Sequence, residues 1–188
     1  MQPWEEIAAF IVSFFAMVFV AAAYFFQKKS LYLLCQAIGI VGIVISYFFT
    51  KEFFAMIGLG VGLIRTLSFY AYERQGKSAP LYLAVLFATL SVAAYLIVNM
   101  GILHTAKPLD LLCLAALVLY AFIFRIRNMK LVRFTVLIPC ALSITYNVLA
   151  SSTIFIVLLY VFEFCASITS IFKFYVFPNI RRKTNENG

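Results

Sequence analysis

Charge is what this sequence has least of. Lysine, arginine, aspartate and glutamate make up 12% of its 188 residues, with seven acids against fifteen bases, where an ordinary soluble domain carries about 25%. Hydrophobic residues account for 65% and the mean hydropathy is +1.03. Apolar side chains must therefore cover the outside as well as the core, which excludes a water-soluble globular fold. Histidine and tryptophan each occur once. The four cysteines, Cys35, Cys113, Cys140 and Cys165, lie in apolar stretches with no CxxC spacing and no neighbouring histidine. Neither a disulfide framework nor a zinc site is indicated, and the thiols read as packing groups. HExxH, a serine triad, a glycine-rich phosphate loop and paired carboxylates are all missing, and His104 stands in a loop near Lys107 and Asp110. No enzyme activity, cofactor or bound metal is expected. The opening residues, MQPWEE, are acidic, whereas a secretory signal begins with a basic region, so the first apolar run reads as a permanent span.

What the sequence does have is long apolar runs. They cover residues 4–26, 31–49, 53–71, 80–100, 109–124, 131–149 and 153–177, each near the ~20 residues that a membrane crossing needs. Unpaired backbone is too costly in hydrocarbon for anything but helices or a closed barrel, and these runs are continuous rather than alternating, so all seven are read as helices. Ser78 is placed to cap the fourth, with Pro80 in its first turn, and Pro108 precedes the fifth.

The two longest connections, 72–79 and 101–108, set the fourth span apart. The expected fold is thus an all-α polytopic membrane protein with a 3+1+3 plan: a first three-helix repeat over 4–71, a linker helix over 80–100, a second repeat over 109–177 and a basic tail over 178–188. Sliding the chain by 99 positions superposes Lys28 on Arg127, Ile45 on Ile144, Tyr47 on Tyr146, Ile57 on Ile156, Leu59 on Leu158 and Ser68 on Ser167. A basic first connector (Lys28, Lys29; Arg125, Arg127, Lys130) and a very short second connector (50–52; 150–152) also recur in both units.

Basic residues in short loops set orientation. One side receives Lys28, Lys29, Arg74, Lys77, Arg125, Arg127, Lys130, Arg181, Arg182 and Lys183, and the other Lys51 and Lys107. That places the N-terminus outside and the tail in the cytoplasm. The excess of base is a topology signal, and nucleic acid is not an expected partner. Repeats separated by one span share an orientation, so they would be parallel, related about the membrane normal.

This plan resembles that of the SWEET sugar transporters, the PQ-loop proteins and the nicotinamide riboside permeases, although the chain has no Pro-Gln pair and one repeat-helix proline, Pro139. A narrower resemblance rests on residues 31–67 (LYLLCQAIGIVGIVISYFFTKEFFAMIGLGVGLIRTL) and 131–157 (LVRFTVLIPCALSITYNVLASSTIFIV). These are similar to the two halves of small bacterial inner-membrane proteins of the YgjV type. Ile64, Arg65, Thr66 and Leu67 match the stretch that closes that family's third helix, and Tyr146 with Asn147 matches the end of its sixth. The resemblance implies a bacterial inner-membrane location and carries no activity over.

Glu163, ten residues into the seventh run, is the main oddity, because a mid-bilayer carboxylate costs at least ~2.5 kcal/mol unless paired or protonated. Arg65 is the other interior charge. At 1.5 Å per residue Glu163 and Arg65 lie roughly 15 and 18 Å below the outer helix ends, so an Arg65–Glu163 contact across the repeat interface is expected near mid-bilayer. Ser143, Thr145, Tyr146 and Asn147 of the sixth run, with Ser46 and Tyr47 of the second, are placed to line an outer vestibule. Gly39, Gly42, Gly58, Gly60 and Gly62 allow close helix approach. The expected function is transport of a small polar solute through a site made of Glu163, Arg65, Ser143, Thr145, Asn147, Tyr47 and Tyr146. The other reading is a non-transporting membrane receptor or an assembly or regulatory protein on the same fold, with a pocket open to one side. The expected partners are the bilayer and the solute; self-association is left open.

Overall fold

The computed structural model describes residues 3–50, 53–97, 109–149 and 154–178. Among these residues every regular element is a helix: α1 Pro3–Ala23, α2 Lys29–Thr50, α3 Phe53–Arg74, α4 Leu81–Tyr95, α5 Asp110–Ile123, α6 Met129–Thr135, α7 Leu137–Leu149 and α8 Ile154–Ile171, which continues as a π-helical turn, Phe172–Val176. The seven apolar runs coincide with these helices, α6 and α7 together forming the sixth. Their break at Val136 has a local cause. Pro139 has no N–H to offer the carbonyl of Thr135, while Val136 N–H to Val132 O (3.0 Å) and Cys140 N–H to Val136 O (3.1 Å) carry the helix past it. Lys29–Ser46, Met129–Leu149 and Val157–Val176 are long and apolar enough to cross a membrane, and Ile7–Ala23, Leu81–Tyr95 and Asp110–Ile123 are shorter apolar helices.

Helix ends depart from the sequence reading in one place. Pro80, extended at ψ 155°, is itself the residue before α4, with no side-chain cap, so Ser78 stands too early to cap it. Asn128 does cap α6, accepting from the Lys130 N–H at 2.9 Å. The connectors at 51–52 and 150–153, the 101–108 loop with His104, Lys107 and Pro108, and the tail with Arg181, Arg182 and Lys183 lie outside the described residues.

The helices pack in chain order. Helix α1 lies on α2, α2 on α3, α3 on α4, α4 on α5, α5 on α7, α7 on α8, and α8 returns to α1. The packing relations therefore close into a ring, with α4 standing between α3 and α5. The tightest seam is α1–α2, where Gly39 and Gly42 let α1 approach: a Cβ on Gly39 would collide with Val20, and one on Gly42 would stand 2.8 Å from the Ala16 Cβ. Ser46 reinforces it, with its hydroxyl 2.6 Å from that of Ser13 and bonded to the Ala9 carbonyl at 3.1 Å. Among the described residues nothing lies within 4 Å of such a Cβ on Gly58 or Gly60 of α3, so of the described glycines it is those of the second helix that allow close approach.

Side-chain contacts also gather the basic connectors at one end of the ring. Lys29 pairs with Glu73 at 3.4 Å, Arg125 donates to the Ala79 carbonyl, Arg127 to that of Gly76 and Arg133 to that of Phe26. Leu33, Phe69, Val132 and Val136 fill the interior beside them, while Ile7, Phe14, Leu81, Ile138 and Phe162 point outward.

Candidate functional site

The ring encloses a polar cluster centred on Glu163. This side chain is 5% exposed, and both of its carboxyl oxygens are occupied. Oε1 accepts from the Tyr24 hydroxyl at 2.6 Å and from Gln36 Nε2 at 3.5 Å, and Oε2 accepts from the Tyr120 hydroxyl at 3.2 Å. A second layer supports the donors: the Tyr32 hydroxyl donates to that of Tyr24 at 3.3 Å, and the Cys140 sulfur lies 3.2 Å from the Tyr120 hydroxyl. The rings of Tyr24 and Tyr32 meet edge to face at 5.3 Å, and Phe124 packs against both Tyr32 and Tyr120. Such fixed aromatic walls leave the hydroxyls little freedom, which is what a buried carboxyl requires of its donors.

Arg65 is equally buried but lies on the other side of Tyr120. No ion pair joins it to Glu163. Its guanidinium carbon stands 5.1 Å from the centre of the Phe124 ring and 5.9 Å from that of Tyr120, and Nη1 donates to the Leu117 carbonyl at 3.1 Å. Among the described residues its Nε has no hydrogen-bond partner. The expected direct contact is thus replaced by a relay, since Tyr120 offers its face to the cation and its hydroxyl to the carboxyl. The reason is competition: three neutral donors already fill the carboxyl, and two aromatic faces take the guanidinium.

The cluster also sits closer to the basic end than equal depths suggested. Tyr24 directly follows α1, Phe124 directly follows α5, and Tyr32 is in the first turn of α2, so the turns of the basic connectors supply much of the wall. Residues from α2, α3, α5, α7 and α8, with Tyr24 at the end of α1, converge here, and α4 contributes none of those named.

The remaining candidates form a separate group toward the other end. Ser143 and Asn147 are buried, with Asn147 Nδ2 donating to the Ser143 carbonyl at 2.7 Å. Tyr146, half-buried, donates to Asp110 Oδ1 at 3.3 Å. Thr145 is exposed and bonds the Ala141 carbonyl one turn back, so it faces away from this group. The side chain of Tyr47 lies outside the described residues. Among the described residues no three of His, Cys, Asp and Glu come together as a metal site.

Sequence reasoning missed Tyr24, Tyr32, Gln36, Tyr120 and Cys140. Tyrosines near span ends look like interfacial anchors, and a cysteine in an apolar run looks like packing. Gln36 carried a usable signal, because an amide seven residues inside an apolar helix needs a partner for the same reason that Glu163 does.

A family model described as Imp-YgjV, bacterial inner membrane protein, matches residues 7–177, which takes in every residue of the cluster. The chain belongs to the Imp-YgjV family. No curated protein and no solved structure matches it. Family membership makes this Imp-YgjV protein a bacterial inner-membrane protein, in accord with its apolar helices.

Proposed function

We propose that this protein is a transporter that moves a small polar solute across the bacterial inner membrane by rocking its two three-helix halves about the Glu163 cluster. One observation carries the reading. The carboxyl of the last helix is held at once by donors of the first half, Tyr24 and Gln36, and by Tyr120 of the second. Polar groups bridging two repeats in the membrane interior are where repeat transporters bind their cargo, and relative motion of the halves would exchange these bonds for bonds to a solute. Arg65, buried with no carboxylate partner among the described residues, is the place for an acidic group of that solute. In this reading Ser143, Tyr146 and Asn147 line the approach from outside, the N-terminus is outside and the tail is cytoplasmic. No catalytic step belongs to it.

The nearness of the cluster to the basic end favours a second reading, a receptor or regulatory protein that binds from the cytoplasmic side without transport. One experiment separates them. Purified protein is screened by thermal shift against sugars, nucleosides, vitamins and amino acids, since a ligand of the folded state raises its melting temperature; each hit is then tested for flux in proteoliposomes. Binding with flux, both lost in Glu163→Gln, supports the transporter. Binding without flux selects the receptor, and hits indifferent to Glu163→Gln and Arg65→Gln reject the site.

A further inference from the structure

We infer that the basic end of the ring carries a binding site for the phosphate headgroup of an anionic phospholipid, formed by the exposed Lys130 of α6 and Lys173 of the π-helical turn over the buried charge of Arg133. Arg133 supplies the charge beneath it. It has no solvent exposure at all, yet its hydrogen bonds go only to neutral acceptors, the Tyr175 hydroxyl at 2.8 Å and the Phe26 carbonyl at 2.9 Å, and among the described residues its Nε has no hydrogen-bond partner. A buried guanidinium with neutral partners keeps its charge uncompensated, so it favours an anion on the surface above it, where the exposed lysines meet the phosphate.

Two exposed cations surround it. Lys173 Nζ stands 5.5 Å from the centres of both the Phe25 and Phe174 rings, Lys130 Nζ stands 5.7 Å from that of Tyr175, and the Arg133 guanidinium lies 4.5 Å from that of Phe174. Three positive charges thus interleave with three aromatic rings. Among the described residues no carboxylate pairs with any of them; the acid at this end, Glu73, is taken by Lys29. Repulsion among three such cations is relieved by an anion rather than by more aromatic surface, because a ring face supplies only about 0.5–2 kcal/mol.

The surroundings select the lipid over a soluble phosphate. Phe26, Leu131, Phe134, Phe172 and Phe177, on the same turns, expose large apolar faces. Cations at a helix end beside an exposed apolar wall match an amphiphile with its phosphate on the cations and its acyl chains on the wall. This inference is independent of any transported solute.

The test uses the purified chain in detergent, with phosphatidylglycerol, phosphatidylcholine or inorganic phosphate as the probe. Phosphatidylglycerol is expected to raise the melting temperature and to stay bound in native mass spectrometry, with phosphatidylcholine doing neither. Because Arg133 is fully buried and its replacement would disturb the fold, the decisive variant is the exposed pair, Lys130→Gln with Lys173→Gln. It should melt as wild type in phosphatidylcholine and bind phosphatidylglycerol more weakly, by about five-fold per lysine, while Lys130→Arg with Lys173→Arg restores binding. Equal stabilisation by both lipids, or undiminished phosphatidylglycerol binding in the double glutamine variant, would overturn the site. A shift with inorganic phosphate as large as with phosphatidylglycerol would overturn the lipid as its occupant.

Discussion

The Tyr24 hydroxyl donates a 2.6 Å hydrogen bond to Glu163 across 139 positions of sequence, tying the end of the first helix to the middle of the last. Removing that donor leaves a buried carboxyl oxygen with only the longer bond from Gln36. Tyr24→Phe is expected to cost about 1–3 kcal/mol, read as a drop of roughly 2–4 °C in melting temperature per kcal/mol. Glu163→Gln should be non-additive with it, since residues sharing one hydrogen bond typically couple by about 0.5–3 kcal/mol. Additive losses in the double variant would mean that the bond contributes nothing to stability.

The glycines make a contrasting pair of predictions. Gly39→Ala and Gly42→Ala drive a methyl into α1 and should each destabilise by about 1–3 kcal/mol. Gly58→Ala and Gly60→Ala meet no neighbour within 4 Å and should be neutral or stabilising by up to about 1 kcal/mol. Thermal melts of the four variants check both halves, and similar behaviour of the two pairs would contradict the α1–α2 seam.

Hydropathy made the helices legible. All seven runs begin within two residues of a described helix start, because exclusion from water acts on whole segments. The site was legible only where a residue type is intolerable in lipid: Glu163 and Arg65 stood out, and both are buried. Their partners were not legible. Tyr24 and Tyr120 are as acceptable at an interface as in a core, so sequence does not say which role they take, and equal depth along two helices says nothing about the aromatic side chain standing between them. Arg133 was hidden for another reason, since it lies two residues into an apolar run beside a basic connector and reads as part of that connector.

Arg65 should cost the fold stability. Among the described residues no carboxylate stands beside its buried guanidinium, whose desolvation penalty is then unrecovered, so Arg65→Met, which keeps an apolar stem against Phe124, is expected to melt at or above the wild-type temperature. Solute binding should be lost in the same variant. Arg65→Lys should not restore binding, because an ammonium does not reproduce a planar group lying over two rings. A strongly destabilised Arg65→Met would instead make Arg65 a structural residue.

Orientation is tested with impermeant thiol reagents. Ser78 is exposed beside the basic connectors, so Ser78→Cys in a background lacking the four native cysteines should label only after the membrane is opened. Thr105→Cys, in the opposite loop, should label in intact cells. The reverse pattern would invert the protein in the membrane.

Closure of the ring by α1 and α8 has a consequence for biogenesis. The insertion machinery delivers helices in chain order, so Tyr24 and Gln36 enter the bilayer long before Glu163 is synthesised, and the carboxyl arrives to find its donors already waiting. A chain truncated before α8 would therefore leave its polar core unclosed, exposing unmet hydroxyl and amide groups along one open seam. Membrane proteases that survey inserted helices would find in that seam a means of telling an unfinished copy from a finished one.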